Sequence, residues 1–123
     1  MGGGGGEAAG ACENESDLGV IDSAEDTLRN IARDCGTFQC GNRVGMGDAY
    51  ESCVNMCIEE RLQDLSPECI ACYGAGERCS HDSFCRMLCQ NASCGLACLN
   101  CMNGADCIEE LEECTGIPDD TCE

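Results

Sequence analysis

The sequence predicts an all-α protein, a small disulfide-rich bundle of five or six short helices. Three observations support this prediction. Sixteen of the 123 residues are cysteine, above the level of about 10% that marks a disulfide scaffold in a short chain. Apolar residues recur at helical spacing, and no alternating β pattern is present. Large apolar side chains are scarce, with two Phe, two Tyr and no Trp, so a fold this small depends on covalent cross-links.

The first predicted helix covers about residues 16–35 and follows a Gly-rich segment. Residues 1–11 have almost nothing to bury and predict a flexible N-terminal tether. Residues 12–123 then form a single disulfide-stapled helical domain. Gly36 is a natural residue to end the helix. One face of this helix carries apolar residues at helical spacing, namely Ala24, Leu28, Ile31 and Cys35.

The next two predicted helices are marked by their start signals. The second runs from Asp48, its predicted N-cap, to Gln63. The third opens at Ser66, with Pro67 in the first helical position. We expect this third helix to stop at the glycines within residues 74–76.

Three shorter helices follow in the prediction. Ser80 is the expected N-cap of the fourth, and Ser93 opens the fifth, which ends at Gly104. The sixth covers residues 107–114 and turns its glutamates toward water.

An internal repeat organises most of the cysteines. Units of about residues 48–79 and 80–107 each contain a CxxxC helix, a CxxC helix and one trailing cysteine. An antiparallel hairpin with two cysteines on each facing side can close two disulfide rungs, although spacing alone leaves other pairings open. The predicted rungs are Cys57–Cys69, Cys53–Cys72, Cys89–Cys98 and Cys85–Cys101. The other eight cysteines are expected to join the units and tie down both ends: Cys12, Cys35, Cys40, Cys79, Cys94, Cys107, Cys114 and Cys122.

The charge of the chain is strongly one-sided. Its 24 acidic residues oppose six basic ones, all of them Arg, and the formal net charge is −18. So acidic a surface repels phosphate backbones and anionic lipid, which argues against nucleic-acid binding and electrostatic membrane docking. It can attract cations or basic partners, although a solvated acidic surface explains most such charge.

Three segments carry a resemblance to a known group of proteins. They are CENESDLGVID at 12–22, LSPECIACYGAGERC at 65–79 and Cys-Thr-Gly at 114–116. With its cysteine spacing, the chain resembles, over most of 12–116, the cysteine-rich lipoproteins of myxobacteria and related bacteria. In such lipoproteins a run of Gly often follows a lipid-bearing Cys, and Met1 stands at that place here, without a lipobox. The resemblance implies an oxidised protein tethered to a bacterial cell surface. The group has no established activity, so it implies no catalytic residue.

The expected location is extracytoplasmic, either secreted or lipid-anchored. Disulfides persist in oxidising compartments and are rare in the cytosol. The sequence has neither a signal peptide nor an apolar run long enough to span a membrane. We therefore expect that an export signal has been removed and that Met1 is an introduced start.

Three chemical alternatives compete with structural disulfides. The CxxC motifs invite a thioredoxin-like function, but no βαβ pattern surrounds them. The CxxxC pairs could bind Cu(I) if the thiols were reduced, because thiolates are soft ligands. His81 is the only histidine and is expected to be solvated in the first turn of a helix, without a triad around it. In the Cu(I) alternative, thioether ligands could join the thiolates of the CxxxC pairs, and they would come from four methionines: Met46, Met56, Met87 and Met102.

The sequence as a whole predicts a non-enzymatic, disulfide-stabilised binding or structural module outside the cytoplasm. No cofactor is expected. The expected partner is another protein or a second copy of the chain. The alternative is a helical protein that stores metal on thiolates, in the manner of copper storage.

Overall fold

The computed structural model of the protein describes residues 10–90, 92–119 and 121–122. Within them the chain is helical with no strand, which confirms the all-α, disulfide-rich class. Residues 1–9 of the predicted tether lie outside the described residues. Seven α-helices occur in the described part, more than expected: α1 Glu15–Ser23, α2 Leu28–Asp34, α3 Asp48–Arg61, α4 Pro67–Asp82, α5 Arg86–Cys89, α6 Leu96–Gly104 and α7 Cys107–Thr115.

The prediction of one helix over residues 16–35 is wrong, because the chain breaks between α1 and α2. Ala24 and Thr27, which flank the break, both have extended backbone angles. Asp26 stabilises the break by accepting hydrogen bonds from the Thr27 backbone N–H at 2.8 Å and from the Asn30 side chain at 3.0 Å. Such side-chain contacts compete with the helical hydrogen bonds of the backbone.

Gly36 does not end a helix, as the sequence suggested. The chain continues through a π-helical turn, Cys35–Gln39, and then a short 3-10 turn, Gly41–Arg43. A Cβ atom at position 36 would overlap the Tyr50 hydroxyl and the Glu77 carboxylate. Glycine is needed here because two buried polar groups approach the backbone closely.

Helix α4 also runs further than predicted. It passes through Gly74 and Gly76, and Gly74 serves close packing and not a helix stop. A Cβ atom at position 74 would overlap the side chain of Asn55 on α3. Ser80, the expected N-cap of a separate helix, is therefore buried inside α4. The other end agrees with the prediction, since the Ser66 hydroxyl accepts a hydrogen bond from the Cys69 backbone N–H at 3.3 Å.

Two apolar clusters form the core, and α4 contacts both. The larger cluster lies between α2, α3, α4 and α7, and Tyr50, Val54 and Ile58 of α3 are its largest fully buried side chains. The smaller cluster consists almost entirely of sulfur-bearing side chains: Cys85, Cys89, Cys98, Met102 and Cys107. Disulfides therefore provide the packing of the second half of the chain as well as its cross-links.

All sixteen cysteines form disulfide bonds, and none is free. Two of the bonds are those predicted for the second hairpin, Cys85–Cys101 and Cys89–Cys98. The other six are Cys12–Cys69, Cys35–Cys57, Cys40–Cys53, Cys72–Cys114, Cys79–Cys107 and Cys94–Cys122.

The rungs predicted for the first hairpin, Cys57–Cys69 and Cys53–Cys72, are wrong. Helices α3 and α4 do pack together, but polar contacts such as Tyr50 with Glu77 and the approach of Asn55 to Gly74 join them, and no disulfide crosses between them. Cys53 and Cys57 lie one helical turn apart on another side of α3. The π-helical turn places Cys35 and Cys40 at a matching separation beside them. The two repeat units therefore share cysteine spacing but not the pattern of bonds.

The bonding pattern predicts the mass of the purified protein. Under denaturing, non-reducing conditions with a metal chelator, the eight bonds should lower the intact mass by about 16 Da relative to the reduced chain. A thiol alkylating agent should add nothing, and mass spectrometry measures both quantities. Alkylation of several cysteines would mean that the native protein holds reduced thiols, and would favour the metal-storage alternative.

Candidate binding groove

An open groove of about 960 Å³ is formed by the described residues. It lies between α1, the 24–27 break, the start of α2 and the C-terminal segment that follows α7. Its volume is at the upper end of the range for ligand sites, roughly 300–1,000 Å³. The principal lining residues are Leu18, Ile21, Asp22, Glu25, Asp26, Leu28, Arg29, Tyr73, Ile117, Pro118, Asp119 and Thr121.

The C-terminal wall of the groove is fixed by a buried ion pair. The Arg29 Nε donates to Asp119 Oδ2 at 2.8 Å, and both side chains are nearly inaccessible, at 5% and 9% exposure. A second Arg29 nitrogen donates to the Ser93 carbonyl at 3.0 Å. The disulfide Cys94–Cys122 closes the same wall. Because a buried ion pair broken on one side is strongly destabilising, this wall is held in one position.

The opposite wall is fixed by Asp17, a buried residue of α1. Its carboxylate accepts hydrogen bonds from the Ser66 backbone N–H at 2.8 Å and from the Ser66 hydroxyl at 2.6 Å. The Asn14 side chain donates a third, at 2.7 Å. Burial raises the pKa of Asp17, but these hydrogen bonds outweigh burial and leave the pKa below its usual value. The wall is thereby joined to the first turn of α4.

The groove combines an apolar base with an acidic rim. Leu28 and Tyr73 are buried beneath it, whereas Asp22, Glu25 and Asp26 are exposed along its edge. Arg29 compensates Asp119 inside the wall. Concave acidic surfaces concentrate cations, so the site suits a ligand with positive charge and an apolar group.

A buried carboxyl group lies below the base of the groove. Arg29 and Tyr73 also line a small cavity of about 10 Å³, together with Glu77, which is 7% exposed. Space of this size holds about one water molecule. Burial raises the pKa of Glu77 to about 7, and the hydrogen bond from the Tyr50 hydroxyl at 3.4 Å offsets part of that rise.

Glu77 should make stability depend on pH. Its pKa is 4.5 ordinarily and about 7 in the folded state. As pH rises, the unfolded chain releases its proton first, so folding free energy is lost between about pH 4.5 and 7. The full difference is about 3 kcal/mol. Denaturant unfolding with the disulfides intact should show this decline, and Glu77→Gln should remove it.

The matched control for this measurement is Glu110→Gln, on the exposed face of α7. It removes the same charge and should leave the decline in place. If Glu77→Gln declined as steeply as the unaltered protein between pH 4.5 and 7, a different group would be responsible.

His81 lies outside the groove and is not solvated, contrary to expectation. It lies in the last turn of α4, where its ring stacks on Tyr50 with centroids 4.8 Å apart. Its Nε2 accepts the Gly45 backbone N–H at 2.7 Å, and its Nδ1 lies 2.9 Å from Asp82 Oδ1. These contacts give His81 a structural role, that of attaching the 41–47 loop to α4. No signal in the sequence indicated that contact.

The cysteines singled out by the sequence do not converge on one site, because each is bonded to a partner across the fold. Across residues 10–90, 92–119 and 121–122, no group of three or more His, Cys, Asp or Glu side chains is arranged to hold a metal ion. Comparisons of the chain with protein-family models, with curated proteins and with solved structures find no match. The groove is therefore interpreted from its own geometry.

Proposed function

We propose that the protein is a non-enzymatic binding module outside the cytoplasm, and that it binds a basic peptide segment in the groove. The observation that carries this proposal is the groove itself, with two fixed walls, an apolar base and a rim of carboxylates. Sites whose walls are held in place beforehand bind more tightly, because less conformational freedom is lost on binding.

The disulfides support the proposed location. Eight bonds among sixteen cysteines suggest an oxidising, extracytoplasmic environment, because cytosolic reductants keep thiols reduced. Attachment to a bacterial cell surface through a processed, lipid-bearing N-terminus is the finer proposal. It rests on the Gly-rich start of the chain and on the resemblance to bacterial lipoproteins.

The nature of the ligand follows from the lining. Four carboxylates and one guanidinium among the lining residues leave the groove with a formal charge of −3. Arg29 already neutralises Asp119, so the carboxylates open to a ligand are those of Asp22, Glu25 and Asp26. A peptide with Lys or Arg on either side of a Leu or Phe would place its charges at this rim and its apolar group on the base.

The metal-storage alternative requires a different state of the protein. Cu(I) sites need thiolates, and each cysteine here is bonded to another. We therefore favour the binding module. A binding role needs only the groove, whereas metal storage would first require reduction of the bonds that hold the core.

The proposal is tested by titrating the purified, oxidised protein with short fluorescent peptides that alternate Lys or Arg with Leu or Phe. The double variant Asp22→Asn with Glu25→Gln should weaken binding by about threefold to tenfold. A control double variant, Glu109→Gln with Glu110→Gln, removes the same charge from the exposed face of α7 and should bind as the unaltered protein does. Fluorescence anisotropy measures both affinities.

Two results would contradict the proposal. Equal weakening by both double variants would show that the peptides respond only to net charge. Absence of binding to every basic peptide would remove the groove as a peptide site. The natural partner can then be sought by cross-linking on intact cells.

A further inference from the structure

The acidic residues of this chain are unevenly distributed, and the fold brings the acid-free parts together. Residues 35–47 and 83–105 are the two longest stretches without Asp or Glu, and each contains one basic residue, Arg43 or Arg86. Arg86 of the second stretch donates from Nη2 to the Gly36 carbonyl of the first at 3.1 Å. His81, which precedes the second stretch in α4, accepts the Gly45 N–H of the first. The two stretches therefore lie side by side at the end of α4.

Exposed apolar side chains stand on both stretches. Both phenylalanines of the chain are among them, with 76% exposure for Phe38 and 86% for Phe84, although the core is short of large apolar residues. Single exposed apolar residues are ordinary, but an extended apolar surface marks an interaction site. We give the name acid-free face to the exposed side chains of residues 38–46 and 84–88 on either side of the Arg86–Gly36 contact, namely Phe38, Arg43, Val44, Met46, Phe84, Met87 and Leu88.

Phe84 is held outward in a conformation that favours glycine. Its φ is 63°, and it directly follows the C-cap of α4. The Cys85 N–H donates to the Ser80 carbonyl at 2.8 Å, and the Phe84 N–H donates to the His81 carbonyl at 3.2 Å. This is the Schellman arrangement, in which glycine usually occupies the left-handed position. A phenylalanine there costs free energy that folding does not require.

Two disulfides fix the rest of the protruding turn. Cys85 and Cys89 lie one helical turn apart, at either end of α5, and both are bonded to α6. Because these two positions face inward, Met87 and Leu88 between them are turned outward, with exposures of 75% and 49%. The apolar side chains are thereby presented on a rigid support.

The acidic charges that border the acid-free face are only partly compensated. Of its acidic neighbours, Asp48, Glu51 and Asp82 share ion pairs with Arg78, which offsets one of their three charges. Glu60 accepts a hydrogen bond from the Gln39 side chain next to Phe38. Asp82 also contacts His81. Arg43 is exposed on the face and forms no ion pair with any acid in the described part of the chain. The face itself is apolar and carries one unpaired Arg and no acid, on a molecule whose net charge is −18.

We propose that the acid-free face docks on the surface of a phospholipid bilayer. Protruding Phe, Met and Leu side chains gain most when lipid surrounds them on every side. Arg43 meets the phosphate oxygens of the headgroups. The acids of the molecule lie outside the two stretches, and salt screens their charge over about 8 Å at physiological ionic strength. No helix among the described residues is long and apolar enough to cross a bilayer, and docking needs none.

The test is flotation of the oxidised 123-residue chain with phosphatidylcholine vesicles, without any added lipid anchor. The unaltered protein should float with the vesicles. Phe84→Gly should lower the partition coefficient by about tenfold, while it relieves the left-handed backbone and leaves the fold at least as stable. Phe38→Ser should lower it to a similar degree.

The control is Met56→Ser, which removes an exposed apolar side chain from α3, outside the face. It should float as the unaltered protein does. So should the groove variant Asp22→Asn with Glu25→Gln, because this inference does not depend on the groove.

Three outcomes would overturn the inference. The unaltered protein could remain in the soluble fraction at every lipid concentration, or Met56→Ser could lower flotation as much as Phe84→Gly does. In the third outcome, the vesicles would bind no protein, and analytical ultracentrifugation would find a dimer that Phe84→Gly dissociates. The acid-free face would then be the contact surface for a second copy of the chain.

Discussion

The structure depends on the cross-links of α4. Three cysteines of this helix form bonds to the N-terminal segment and to both ends of α7, namely Cys69 to Cys12, Cys72 to Cys114 and Cys79 to Cys107. Each bond closes a loop of more than twenty residues and contributes about 2–4 kcal/mol by restricting the unfolded chain. With so few large apolar residues to bury, the chain needs this contribution to hold α1 and α7 in place. The groove exists because these two parts cannot separate.

The sequence predicted the helices better than it predicted their ends and their bonds. Ser66 and Pro67 marked the start of α4 because capping is a local property. The prediction that this helix stops near Gly74 was wrong, since only the packed structure shows that Asn55 fills the space of the missing side chain. Likewise Cys89 and Cys98 are close in sequence and could be paired from spacing, whereas Cys12 and Cys69 are 57 residues apart. No local signal links residues at that distance.

The groove itself could not be predicted from the sequence. Its acidic rim comes from the break between α1 and α2, which the helical spacing of Leu28 and Ile31 concealed. Its far wall depends on Arg29 reaching Asp119, 90 residues away. The net charge of −18 likewise did not predict the acid-free face, because a total does not show how the charges are distributed over the surface. The acid-free stretches could be read from the sequence, but their meeting at Gly36 and Arg86 could not.

The two proposed surfaces lie at different places along α4, and this separation matters for their use. Tyr73 of α4 lines the groove, and Phe84 follows the end of the same helix. At 1.5 Å per residue the two positions are roughly 16 Å apart along the helix axis, which is about two Debye lengths at physiological salt. A membrane beneath Phe84 would therefore leave the groove open to solvent and its carboxylates unscreened by lipid. Docking would fix the orientation of the module without occupying its binding site.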